Sequence, residues 1–238
     1  MVKSVSDIID AVWSNDRARI MESIEDGASL DEIHEGLSAL SWAVDLELTD
    51  SIDLLIQLGA NVNWRDSLGK TPLMRAASGG KLSIIKQLSA AGADIKAVDY
   101  EGADALQFAA RRSSAECLSF LIGRGALVDR LDHNERDALY WALAWKNSGA
   151  LRELINRGAP VYRTYEEEGF TALMLAVIVG SADCVRLVLE AGADPADAVS
   201  SGQTAADFVR ADTPEIECLL TEANARREIG KGNKNSPA

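Results

Sequence analysis

Apolar residues recur along this chain in short stripes of helical spacing punctuated by glycine. Leu82, Ile84, Ile85 and Leu88 fall on one side of a helix, and Gly80 and Gly92 bracket them. A glycine in the place of Gly92 ends such a helix by taking a left-handed conformation. Upstream, Thr71-Pro72-Leu73 opens another short apolar segment. Thr stands at the capping position and Pro at the first helical position, where a missing N–H costs nothing. The stretch from Asp94 to Gly102 is polar, turn-rich and too short for a further element. One unit therefore reads as helix, turn, helix and hairpin loop.

The unit repeats. Gly-Ala pairs begin at Gly27, Gly59, Gly92, Gly125, Gly158 and Gly192, at spacings of 32, 33, 33, 33 and 34 residues. Leu40, Leu73, Leu106, Leu139 and Leu173 keep the same phase, each followed three positions later by Ala43, Ala76, Ala109, Ala142 or Ala176. Two registers in phase mark a stacked array, in which one unit cannot bury its apolar face without its neighbours.

With a 33-residue period, Thr71-Pro72-Leu73 in the first helix and Gly92-Ala93-Asp94 closing the second, the chain resembles the ankyrin-repeat family. The resemblance spans residues 33–223, divided as 33–65, 66–98, 99–131, 132–165, 166–198 and a shortened 199–223 that closes the array. Residues 5–31 form a degenerate first unit, in which Ile8, Ile9, Val12, Ile20 and Ile24 supply the helical faces. It implies an all-α solenoid of helix-turn-helix units with short hairpin loops, in a single domain over 1–223. One extra residue falls near Thr164-Tyr165. The family's usual His after the repeated Leu is missing: Ser41, Met74, Gln107, Tyr140, Met174 and Asp207 hold its places. Bonds which that His makes between loops must be replaced or absent, so a less stable array is expected, with the same fold. Residues 224–238 are polar and Gly-rich and are expected to form a flexible tail.

Charge narrows the partners. With 24 Lys plus Arg against 37 Asp plus Glu, the 238-residue chain carries a net charge of −13. That excludes a nonspecific nucleic-acid binder, which needs surplus cation to displace counterions from phosphate. No run approaches the roughly 18 apolar residues of a spanning helix, and the N-terminus meets Asp7 and Asp10 before any apolar run of signal-peptide length. Three cysteines are an odd count and too few for a disulfide framework. A cytoplasmic, monomeric protein away from membranes is expected.

Reactive chemistry is sparse. His34 and His133 lie about three units apart, and Gly69-Lys70-Thr71 lacks the glycine a phosphate-binding loop needs five residues before Gly69, where Trp64 stands. Cys117, Cys184 and Cys218 occupy one repeat position together with Ser51, Ile84 and Ala150, which reads as a buried slot on the second helix. Glu166-Glu167-Glu168 reads as a solvated face or as a contact for a cationic patch. No catalytic residue, cofactor or metal site is expected.

The resemblance implies protein binding along a concave face lined by loop tips and first helices. Phase places Trp64, Arg65, Leu68 and Lys70 there in one unit, and Tyr100, Glu101, Arg111 and Arg112 in the next. His133, Arg136 and Trp145 follow, then Tyr165 and Phe170. Trp, Tyr and Arg dominate binding hot spots because they bury large area on rigid groups. The expected function is noncatalytic: a scaffold or adaptor for another protein. The alternatives are a specific inhibitor, such as an immunity protein neutralising a toxin or enzyme, and, from another class, an enzyme. Net charge favours a basic partner at low salt.

Overall fold

Each first helix starts at a side-chain cap in the same phase. Ser38, Thr71, Asp104, Asp137 and Thr171 are extended residues whose side-chain oxygens accept the N–H three positions on. The places of the absent His serve the same local purpose. The Gln107 side chain accepts from the Asp104 N–H at 3.0 Å, Met74 Sδ lies 3.4 Å from the Thr71 nitrogen, and Ser41 bonds Ser38 at 3.1 Å. Capping is thus closed locally in these three repeats.

In this computed structural model, residues 6–31, 33–166 and 169–234 are described. The chain gathers into two compact units, divided between Leu127 and Val128 inside the loop of the 99–131 repeat, where the sequence draws one continuous domain. The first holds four helical hairpins: α1 (Ser6–Trp13) with α2 (Arg17–Glu25), α3 (Ala39–Asp45) with α4 (Thr49–Gln57), α5 (Pro72–Ser78) with α6 (Leu82–Ala90), and α7 (Ala105–Arg112) with α8 (Ala115–Gly123). Its first helices pack in the order α1, α3, α5, α7, while α2 packs on α4 and α6 on α8. Before α3, β1 (Ile33–His34) pairs antiparallel with β2 (Leu37–Ser38).

The second unit pairs α9 (Ala138–Ala144) with α10 (Ser148–Asn156) and α11 (Ala172–Ile178) with α12 (Ala182–Glu190). A 3-10 turn, Ala205–Phe208, and α13 (Pro214–Lys234) close it. Here α9 packs on α11 and α11 on the 3-10 turn, with α10 on α12 and α12 on α13 behind. β3 (Thr164–Tyr165) pairs with β4 (Phe170–Thr171) across the loop that carries the extra residue. Each unit is the all-helical stack of helix-turn-helix repeats with hairpin loops that the 33-residue period predicts.

The repeated Leu and Ala positions form the core. Leu40, Leu73, Leu106, Leu139 and Leu173 are buried, and the alanines three residues on are fully enclosed. Each buried Leu contributes about 1.5–3 kcal/mol, and a methyl group at the next turn lets neighbouring first helices approach closely.

The closing helix departs from expectation. Residues 224–234 continue α13, and only 235–238 of the expected tail lie outside the described residues. Ala225, Arg226, Arg227 and Glu228 are capable helix formers, and Arg227 reaches back to Asp194 at 2.8 Å. Those terms outweigh the glycines beyond them.

Loop tips share one design. Asp66, Asp99 and Asp132, spaced by 33 residues, are buried, and each Oδ1 accepts the N–H groups two and four positions on. The turn needs a left-handed residue three after the Asp, supplied by Gly69 at φ 78° and Gly102 at φ 81° but by Glu135 at φ 58° in the third case. We predict that Glu135→Gly raises the unfolding free energy by about 0.5–1 kcal/mol, read as a higher urea midpoint at unchanged slope.

Candidate functional site

Loops and first helices share a face in each unit. In the first unit Arg65 bridges two successive loops, donating to the Val98 carbonyl at 2.6 Å and to that of Gly69 in its own loop at 3.3 Å. The Tyr100 N–H donates to the Leu68 carbonyl at 3.0 Å, and the Tyr100 ring covers Gly69 so closely that a Cβ there would lie 2.8 Å from it. This holds Leu68 and Tyr100 side by side in water, 57% and 65% exposed. Behind them Phe108 of α7 is buried between two cations, Lys70 Nζ at 5.0 Å and the Arg111 guanidinium at 4.9 Å. Glu101 and Arg112 are exposed and Trp64 is half-buried. The surface is cationic and aromatic.

Arg75 of α5 ties this face to its loop, bridging Asp45 at 2.7 Å and Asp66 at 2.5 Å. Burial alone would raise the Asp66 carboxyl; the Lys70 and Leu68 N–H groups and Arg75 outweigh it and hold it below the ordinary carboxylate range. A depressed folded-state value gives stability that is present above that range and lost as pH falls through the depressed value. Asp66→Asn is therefore expected to flatten the acid side of a stability profile measured by urea unfolding from neutral pH downward. An unchanged acid limb would contradict the assignment.

In the second unit the face turns apolar. Arg136 lies 4.7 Å above the Trp141 ring and 5.7 Å from that of Tyr140, its charge met by Asp132 at 3.3 Å. His133 is exposed, and Trp145, closing α9, is 43% exposed. Phe170 is half-buried against Phe208, ring centroids 5.5 Å apart. Between α9 and α11 lies a cleft of about 370 Å³, walled by Tyr140 and Ala144 on one side and Leu175, Ile178 and Val179 on the other, with Glu166 and Phe170 at its loop end. Glu167 and Glu168, expected on the same face, lie outside the described residues.

Tyr165 is a correction. Expected to touch a partner, it is 1% exposed, its hydroxyl donating to Asp137 Oδ1 at 3.0 Å and its ring 5.3 Å from that of Tyr140. It stands 33 residues after Asp132, in the inward-facing phase of the loop aspartates, and the extra residue comes after it. Asp137 is fully buried; it also caps α9 and lies 3.2 Å from Arg163 Nε. Burial raises its carboxyl above the ordinary range, only partly offset by the Tyr140 N–H, the Tyr165 hydroxyl and Arg163. Burial likewise pushes the Tyr165 phenol up. This cluster holds the loop and leaves Tyr165 inaccessible.

Other candidate chemistry is inert. Cys117 and Cys184 are buried, and desolvation pushes both thiols up. Cys218, expected in the same buried slot, is exposed on α13, which among the described residues packs on α12 and the 3-10 turn with no further second helix over it. Among the described residues no three His, Cys, Asp or Glu side chains group to hold a metal ion, and no helix is long and apolar enough to cross a membrane. A larger groove of about 610 Å³ between α12 and α13 is lined by charges that already engage one another, Arg227 with Asp194 and Arg226 with Glu222.

One position escaped the sequence reading. Two residues after each repeated Leu stand Trp42, Arg75, Phe108, Trp141 and Leu175, and the last four take part in the face described above. Their signal was the phase itself, since the repeat fixes which way that residue points whatever its identity.

A family profile described as ankyrin repeats (3 copies) matches residues 8–99, 79–165 and 106–199. Among solved structures, the chain is similar to the human ASB11 ankyrin repeat domain, with a TM-score of 0.78 and 20% identity over 91% of this chain and 96% of that one. At that identity the likeness speaks for the fold alone. No curated protein matches the sequence.

Proposed function

Because the chain belongs to the ankyrin-repeat family, whose repeats are generally protein-interaction modules, we propose that it is a noncatalytic scaffold or adaptor that binds another protein through its loop tips and first helices. The supporting observation is exposure: Leu68, Tyr100 and Trp145 are 57%, 65% and 43% exposed on loop tips and a first-helix end, with the Tyr100 N–H bonded to the Leu68 carbonyl. Aromatic and Arg side chains in such positions are those that gain most on burial by a partner. Lys70 and Arg111 flank Phe108 in the first unit, and a net charge of −13 disfavours a polyanion such as nucleic acid.

The test is a double variant, Arg112→Ala with Trp145→Ala, chosen because both residues are exposed. Affinity for a partner captured by the native chain is expected to fall at least about tenfold, a loss of about 1.4 kcal/mol, with helical circular dichroism intact. Unchanged affinity would move the site elsewhere. Stoichiometry separates the roles: a scaffold holds two proteins at once, whereas an inhibitor or immunity protein saturates at one and abolishes that partner's activity.

A further inference from the structure

The cleft in the second unit lies where one repeat position of the first helices holds its smallest residue. Five residues after the repeated Leu, the first helices carry Asp45, Ser78, Arg111, Ala144 and Ile178. In α7 that position is Arg111, whose guanidinium lies over the Phe108 ring. In α9 it is Ala144, which ends at Cβ and walls the cleft together with Tyr140. Leu175, Ile178 and Val179 are left facing open volume, and Ile178 remains 38% exposed.

The rim has one sign of charge. Glu166 is the only charged residue lining the cleft among those described, and its side chain is exposed at the turn of the β3–β4 hairpin. The nearby cation, Arg136, is already met by the buried Asp132 carboxylate. A hydrophobic floor with a single carboxylate at its mouth is complementary to an apolar side chain with a cationic neighbour, and not to an acidic segment, whose charge would meet like charge at the rim.

Building on the binding role proposed above, we infer that this cleft takes an apolar side chain, of the Leu, Ile, Met or Phe class, from a partner segment that places a Lys or Arg beside it for Glu166. The cleft is the anchor point of the second unit. Specificity comes from the adjacent charge, because an aliphatic wall alone discriminates poorly between apolar side chains.

A random dodecapeptide display library selected on the full chain tests this. Enriched sequences are expected to carry Lys or Arg within two positions of an apolar residue, and synthetic copies should bind Ala144→Trp, which fills the cleft, and Glu166→Lys at least about tenfold more weakly. Both changes fall at exposed positions, and Glu166→Lys alters no volume in the cleft floor, so one variant reports if the other misfolds. Enriched peptides without a basic neighbour, or with affinity unchanged in both variants, overturn the inference. Binding lost in Leu68→Ala with Arg112→Ala but intact in Ala144→Trp and Glu166→Lys also overturns it, while leaving the binding role standing. An absence of any enriched peptide counts against both.

Discussion

Asp137→Ala is expected to lower the unfolding free energy by about 2–4 kcal/mol, the loss of a helix cap plus a buried hydroxyl left without its acceptor. Three groups converge on this carboxylate: the Tyr140 N–H at 2.9 Å, the Tyr165 hydroxyl at 3.0 Å and Arg163 Nε at 3.2 Å. Burial raises its carboxyl, and the Tyr140 N–H, the Tyr165 hydroxyl and Arg163 offset that only in part. Asp137→Asn keeps an acceptor oxygen for the Tyr140 N–H and the Tyr165 hydroxyl but turns an amide NH2 toward Arg163, and is expected to cost less than Asp137→Ala without being neutral. Chemical denaturation of the two variants checks the pair of values. Equal losses would mean that the charge, not the bonding, holds the 164–171 loop.

Leu106→Ala is expected to cost about 3–5 kcal/mol, the cost of removing buried methyl groups from a site that cannot collapse. Leu106 is fully enclosed in α7, which packs on both α5 and α8, so two interfaces lose contact together. Leu68→Ala provides the contrast. The same residue type at 57% exposure is expected to change stability by less than about 0.5 kcal/mol while weakening partner binding. Urea unfolding at constant slope measures both, and a comparable loss from Leu68→Ala would show that the loop tip belongs to the core.

The fold was legible because stacking imposes the same surroundings on equivalent residues. Leu73 and Leu106 are buried alike, and Ser38, Thr71, Asp104, Asp137 and Thr171 cap alike despite their different side chains. Misreadings came where position and chemistry point different ways. Tyr165 has the chemistry of a hot spot, but a count back to Asp132 places it inward. Cys218 keeps the phase of Cys184, yet its covering neighbour ends with the array. Residues 224–234 mix helix formers with glycines and asparagines, and Arg227 reaching Asp194 is a contact no local window contains.

Of the candidate surface, exposed Leu68, Tyr100, Arg112 and Trp145 follow from phase alone. The roles of Arg75, Phe108 and Trp141 depend on which loop meets which helix, and that pairing is tertiary. The cleft opens beside the small Ala144 and becomes visible only once α9 and α11 are set side by side.

Amide hydrogen exchange of the full chain, with and without its captured partner, tests most directly whether loop tips and first helices form the binding surface. Slower exchange on binding is predicted for residues 66–72 and 99–112 of the first unit and 138–146 and 170–179 of the second. Protection confined to the second helices α4, α6, α10 and α12 would contradict it.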